Sequence, residues 1–498
     1  MLYDMKKFVC FILLCVACMG AQAQQLMYVW EGGEKTPFQI ANVDSITFVD
    51  TTKTELVRED DTKRNLPYLF DMSSVPEICL TVTVKDWNTY LSNFDTWQNN
   101  GLYVPAQFSF KKDGVEYHRD SVGLRPRGNT SRRRPESSGG VSHQNGAQWH
   151  HAHFGICFTE YETGERFFGC DRLILKWHKD DAAYCREVFC YDLFHRFAVW
   201  SAPYASYCRL SVYIEGDTKP MYMGVYAMIE NPRKGWLDDR LKEGYIPDKK
   251  GNMWKAAYGA DLSNADTARM GLSDDYGLVN PVYDLKTNKK SLVSAQIELR
   301  DFIQDMTGLA SGSDTLKAWL TKYVDVDLLL RAYAVNVMVG MWDDYWCNQN
   351  NYIFYFDSNH RFYFIPFDYD NSLGTGQESF GNPGTKDMLN WGSRGGDRIL
   401  MRKVLSIKEF EDTYKSYIKQ IATDESLMQP AAAKQRVRTM QAMIKSYVSN
   451  DTGEDMSIED KPASWGSYGK YRLLSGTVGD GQSQESNFFE TKVNSITW

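Results

Sequence analysis

The sequence predicts an α+β fold: a small N-terminal β unit followed by a large domain, strand-rich with one helix in its first half and helical in its second. Three observations lead there. Apolar residues alternate with period two through 78–84 and 102–125, the pattern of half-buried strands. Helical periodicity takes over in 292–308, 314–323 and 325–341. One hairpin signal interrupts the helices, NYIFYF (351–356) and RFYFIPF (361–367) around Asp357-Ser358-Asn359.

The elements follow in order. Lys6 and Lys7 precede an apolar run of twelve, Phe8 to Met19, too short to anchor in a bilayer, and Ala21-Gln22-Ala23 is a small-x-small cleavage pattern. Residues 1–23 therefore read as a signal peptide, with the mature chain starting at Gln24; lipid attachment at Cys18 is the lesser alternative. Residues 24–50 form the small β unit, 51–76 a charged linker, 77–450 the main domain and 451–498 a polar C-terminal tail. VDSITF (43–48) and VNSITW (493–498) echo each other across the chain. Within the main domain, ICLTVTV (78–84) leads to a short helix capped by Asp86. LILK (173–176) is a buried strand, and Asp180 or Asp181 caps the helix that follows. RLSVYIE (209–215) and YMGVYAMIE (222–230) are strands, and helices close the domain near 398–422 and 430–448.

Composition excludes several classes. The net charge of −8 becomes −9 once Asp4, Lys6 and Lys7 leave with the leader, so there is no general basic face for nucleic acid. No later apolar run reaches transmembrane length. The mature chain keeps seven cysteines (79, 157, 170, 185, 190, 208 and 347) with no CxxC pair; they read as small core residues rather than a disulfide framework. No G-x-x-x-x-G-K-[ST], HExxH or GxSxG occurs. His150, His151 and His153 lie in a Ser/Gly/Gln-rich stretch (135–153) and read as a solvated loop.

Three clusters offer chemistry. The turn Arg127-Gly128-Asn129-Thr130-Ser131 lies in a stretch with five arginines in ten residues (125–134). Guanidinium forks suit phosphate, and a solvated basic loop is the plain alternative. Lys176 closes a strand and Glu187 opens the next helix, a spacing that allows the ion pair used to hold nucleotide phosphates. In the third cluster, Trp342-Asp343-Asp344 ends a helix, Asn348, Asn350 and Asn351 follow, and the hairpin leads to Asp368 and Asp370. On an extended backbone those two carboxylates face the same side and, with an Asn amide, suit Mg²⁺ or Mn²⁺. Asp343 or Asp344 is positioned to take a hydroxyl proton.

These pieces resemble the CotH kinase family. The matching segments are RGNTS (127–131), LKWHKDDAAYCREVFCYDLF (175–194), VYIEGDTKPMYMGVYAMIE (212–230), NMWKA (252–256), VDVDLLLRAYAVNVMVGMWDD (324–344), NNYIFYF (350–356) and FYFIPFDYDNSLG (362–374), in the family's order. The resemblance implies an atypical protein-kinase-like bilobal fold, a β-rich N-lobe with one helix and a helical C-lobe. It implies an exported enzyme, periplasmic, secreted or at the cell surface, that transfers phosphate from ATP or another donor to protein Ser or Thr with Mg²⁺ or Mn²⁺. By resemblance Asp344, or Asp343, is the catalytic acid-base position, and Asp368 binds metal with help from Asn351 and Asp370. Arg127, Asn129, Glu230 and Lys255 lie near the nucleotide; Lys176 and Lys255 remain alternatives for the phosphate lysine. The competing function is a catalytically silent kinase-like fold that binds a surface protein or glycan.

Overall fold

The computed structural model describes residues 26–31, 34–39, 56–57, 64–97, 100–137, 143, 147–179, 181–376, 378–392, 398–459, 474–475 and 487–498. The expected leader and the VDSITF segment lie outside them. The chain divides into two compact units, Met1–Thr54 and Glu55–Trp498. In the first, β1 (Leu26–Glu31) and β2 (Glu34–Gln39) form an antiparallel hairpin.

The second unit begins with β3 (Leu56–Val57) and α1 (Leu66–Phe70), inside the stretch expected as linker. Leu66, Leu69 and Phe70 bury their side chains, so three apolar residues in five outweigh the charged surroundings. Next come β4 (Glu77–Val82), α2 (Val84–Thr96), β5 (Val104–Lys112), β6 (Val115–Arg127), β7 (His153–Cys157), β8 (Arg172–Lys176), α3 (Arg186–Arg196), β9 (Ala205–Ile214) and β10 (Met221–Glu230). Thr83, not Asp86, supplies the N-cap of α2, accepting from the Asp86 N–H.

The β-rich N-lobe of the bilobal fold that the resemblance implies is here a closed barrel. The strand order β6-β5-β4-β9-β10-β8-β7 returns to β6, with β3 attached outside the ring. Length explains the closure. β6 pairs with β5 through residues 115–124 and with β7 through 123–127, so one long strand serves both neighbours. Closure leaves no bare edge in the ring. Inward-facing Phe108, Phe154, Leu173, Leu175 and Leu210 are fully buried and fill the barrel. Ile174, between Leu173 and Leu175 in β8, and Val225 and Ala227 of β10 belong to a separate core against the helical half.

That half contains α4 (Lys234–Lys242), β11 (Asn252–Ala256), β12 (Met270–Gly271), β13 (Tyr283–Leu285), α5 (Leu292–Gly308), α6 (Asp314–Tyr323), α7 (Val326–Met338), α8 (Tyr345–Asn348), β14 (Tyr352–Phe356), β15 (Phe362–Pro366), α9 (Ile399–Leu405), α10 (Lys408–Thr423), α11 (Pro430–Ile444) and α12 (Phe488–Asn494). The expected hairpin β14–β15 is the edge of a second sheet, ordered β12-β13-β11-β14-β15. α7 packs against α3, α10 and β15. The predicted polar tail carries α12, whose Phe488 and Phe489 are fully buried. The Phe489 ring lies 5.4 Å from that of Phe189 in α3. The cysteines 79, 157, 170, 185, 190, 208 and 347 form no disulfide with one another, and all but Cys79 are buried. No helix among the described residues is long and apolar enough to cross a membrane.

Candidate functional site

Lys176 stands at the C-terminal end of β8, where alternation turns Leu173 and Leu175 into the barrel and Lys176 toward the helical half. The chain then turns into α3 through Asp181. Its carboxylate accepts the N–H groups of Cys185 (3.0 Å) and Arg186 (2.9 Å) and pairs with the Arg186 guanidinium. This fixes the start of α3, whose first turn presents Glu187 at 2.7 Å from Lys176 Nζ. The same ammonium reaches Asp370 Oδ2 at 3.0 Å and contacts the Asp368 carboxylate. Glu187, Asp368 and Asp370 thus bring one oxygen each within 4.8 Å of one another.

Asp368 and Asp370 converge, but not by the extended backbone expected from their spacing. β15 ends at Pro366, and Asp368 has φ +66°, a left-handed conformation a non-glycine residue rarely adopts. Its N–H donates to the Tyr191 hydroxyl of α3 at 3.0 Å, which ties the turn to the helix carrying Glu187. Burial works against the Lys176 charge, yet Asp368, Asp370 and Glu187 hold the ammonium well above the ordinary lysine range. Burial opposes ionisation of Asp368 too, and Lys176 overcomes it, leaving that carboxyl below its usual value. Burial raises Asp370 and pushes Glu187 up to about 8. One ammonium does not satisfy three carboxylates.

The two consecutive aspartates are separated by the fold. Asp343 is half-buried and accepts from the side-chain amides of Asn348 (2.6 Å), Asn350 (3.2 Å) and Asn351 (2.9 Å). Burial lifts it to about 6, and the charges of Asp368 and Asp370 add to the lift. Asp344 is 3% exposed. It is the N-cap of α8, accepting the Cys347 N–H at 2.7 Å, and it accepts the Asn336 amide at 2.7 Å. Asn336 in turn accepts the Tyr369 hydroxyl at 2.8 Å. Asp344 is thus bonded into the start of α8, and Asp343 is the one on which the Asp368 and Asp370 charges act. Asn351, expected beside a metal, has φ +51° and donates to the Asp343 side chain and carbonyl.

Arg127 ends β6 and is half-buried, pushed down to about 9 by burial and by Arg125. Asn129 lies beyond Gly128 (φ +106°) and is exposed. Lys255 projects from β11 with its ammonium 5.0 Å from the Phe367 ring centre. Burial, then Arg127 and Arg233, push it down to about 7. Glu230 does not join the group. It lies three residues along β10 from Ala227, the partner of Lys176, and its carboxylate is held by both terminal nitrogens of Arg240 at 3.1 and 2.9 Å. Sequence reasoning paired Glu187 with Lys176 but did not place it among the metal-ligating acids, because only the packing of α3 against the Asp368 turn brings it there. It also passed over Arg233, which no motif marks, and treated His151 and His153 as solvated; both are 3% exposed, and His153 opens β7.

A family profile described as CotH kinase protein matches residues 124–485, well over half of the chain. The chain is also 21% identical over 244 residues to "Spore coat protein homolog 1" of Rhizopus delemar, a match covering 48% of this chain and 36% of that protein. The match thus spans only about a third of that relative's length.

Proposed function

The chain belongs to the CotH kinase family, and on that premise we propose that it is an exported phosphotransferase that moves a phosphoryl group from ATP or a related donor to a Ser or Thr hydroxyl of a protein. The observation that carries this reading is Lys176, held at once by Glu187 of α3 and by Asp368 and Asp370 of the turn after β15, with Asp343 facing the same acids. The spore-coat name of the relative supports a place at the cell exterior.

The donor set suits the divalent cation that the family implies. Three hard carboxylate oxygens converge on a single ammonium, a charge deficit that Mg²⁺ or Mn²⁺ would complete. Asp368 and Asp370, with Glu187, would hold it, and it would supply charge neutralisation on the donor phosphates. Lys176 and Arg127 hold the phosphate oxygens. Asp343, fixed by three asparagine amides, accepts the proton of the acceptor hydroxyl. The acceptor oxygen forms its bond to the terminal phosphorus, the bond from that phosphorus to the bridging oxygen breaks, and the electron pair leaves with the shortened phosphate chain. Positioning and electrostatics carry the reaction, with no covalent enzyme intermediate.

The test is labelled-phosphate transfer by the chain from Gln24 onward with Mg²⁺ or Mn²⁺, to itself and to exported proteins, beside Lys176→Met. Wild type should transfer and bind nucleotide, and Lys176→Met should lose both. If wild type neither binds nor transfers with any donor and metal, the phosphotransferase reading falls, and the surface-binding module takes its place.

A further inference from the structure

The outer side of β6–β7–β8 carries a set of donors that the transfer step does not exhaust. Alternation places Arg125 and Arg127 of β6, His153 and Gly155 of β7, and Lys176 of β8 on the side opposite the barrel core. Arg127 is the register partner of His153, and Arg125 of Gly155. The pairing of Phe154 with Leu175 sets His153 across from Lys176. Gly155 has no side chain to lift the arginines away. A Cβ there would meet Arg127 Cδ at 2.9 Å and Arg125 Cγ at 3.3 Å, so both stems lie directly over the bare backbone of β7. From the facing elements, Arg233 at the start of α4 and Lys255 of β11 add charge of the same sign. Among the described residues, Arg127, Arg233 and Lys255 make no ion pair; the carboxylates that act on them from further off are Asp368 and Asp284.

His153 gives this face its specific chemistry. Its Nδ1 accepts the Trp177 N–H at 3.0 Å, so in the neutral ring the proton sits on Nε2. Nε2 is buried and has no hydrogen-bond partner. Burial, and then Lys176, hold the ring far below its ordinary pKa, so it stays neutral and keeps Nδ1 as an acceptor. A buried N–H donor without an acceptor costs stability until an acceptor arrives. Between a guanidinium and an ammonium, that acceptor is an anionic oxygen. One phosphate is too small for the whole face, because Lys176 and the β6 arginines lie two strand spacings apart, about 10 Å.

We propose that this face seats a chain of phosphates, with His153 Nε2–H donating to one of its oxygens. The protein then recognises its phosphoryl donor through the chain rather than through a nucleoside, and inorganic oligophosphate binds where a nucleoside triphosphate does. The inference rests on the phosphotransferase reading and deepens it by naming the part of the donor that is read. The source of the chain, nucleotide or inorganic, is what the experiment separates.

The experiment is displacement of labelled ATP from the chain beginning at Gln24, with Mg²⁺ in excess of all phosphate. The competitors are ATP, inorganic tripolyphosphate, orthophosphate and adenosine. Tripolyphosphate should compete within roughly tenfold of ATP, and orthophosphate and adenosine at least about a hundredfold more weakly. His153→Asn keeps an acceptor for the Trp177 N–H but withdraws the Nε2 donor, and should weaken ATP and tripolyphosphate alike by about tenfold. His153→Gln reaches the Nε2 position and should restore most of that loss. A melting temperature measured without ligand shows whether each variant folds. If ATP binds and tripolyphosphate does not compete, recognition runs through the nucleoside: this inference is overturned and the phosphotransferase reading stands. If folded His153→Asn binds both competitors as wild type does, His153 is no phosphate donor. If wild type binds neither ATP nor tripolyphosphate, both readings fall together.

Discussion

Exchanging Asp343 and Asp344 for alanine one at a time should separate chemistry from architecture. Asp344→Ala removes the N-cap of α8 and the acceptor for the Asn336 amide, two hydrogen bonds of 2.7 Å each at a side chain 3% exposed. Loss of a cap costs about 1 kcal/mol. Leaving the Asn336 donor buried and unpaired adds about 1–3 kcal/mol. The expected destabilisation is therefore about 2–4 kcal/mol, read from the shift of the denaturation midpoint. It should also depend on pH. Burial raises Asp344 from 3.8 to about 7 in the folded protein, so the stability this group contributes is full below pH 3.8 and is lost as pH rises towards 7. The cost of Asp344→Ala should accordingly be greatest in acid and shrink towards neutrality. Asp343→Ala leaves three half-buried asparagine amides within reach of water and should cost about 1 kcal/mol or less. Its effect should fall on transfer, with a loss of about 10²–10⁴-fold. In wild type, the rate should rise with pH through about 6 as Asp343 ionises. If Asp344→Ala keeps the wild-type midpoint and abolishes transfer, while Asp343→Ala still transfers, the assignment of the two residues is reversed.

Two further outcomes follow from the same geometry. Glu187 is pushed up to about 8 and Asp370 is raised, so Mg²⁺ or Mn²⁺ binding at pH 7 should release about one proton and tighten towards pH 8. Titration calorimetry in buffers of different ionisation enthalpy measures the release, and a pH-independent affinity with no proton released would remove Glu187 from the ligand set. Glu230→Gln breaks one side of a buried pair with Arg240 and should cost about 3–5 kcal/mol of stability. The folded fraction should bind ATP like wild type; a selective loss of ATP affinity with an unchanged denaturation midpoint would return Glu230 to the nucleotide site.

Local patterns carried much of this protein. Period-two alternation located β4 through β6, helical periodicity located α5 through α7, and the hairpin β14–β15 was readable from its apolar runs and turn. Seven ordered motifs were enough to indicate the family, and the family profile spans all seven of them. The Lys176–Glu187 pair was legible because a strand end and the next helix start lie close in sequence. What the sequence could not decide depended on which distant segments meet. Nothing local in β6 says that its last residues leave β5 for β7 and close the barrel. The pattern of 451–498 is polar, yet two phenylalanines find a place against α3. Asp343 and Asp344 are equivalent as letters, and only the end of α7 and the start of α8 send one into the site and the other under it. Asp368 and Asp370 converge through a left-handed turn fastened to Tyr191, a contact across 177 residues. Hydrophobic periodicity is a property of a few neighbouring side chains and survives in one dimension. Burial, ion pairing and proton affinity depend on charges and apolar surface brought together from remote parts of the chain, so the tertiary structure alone decides them.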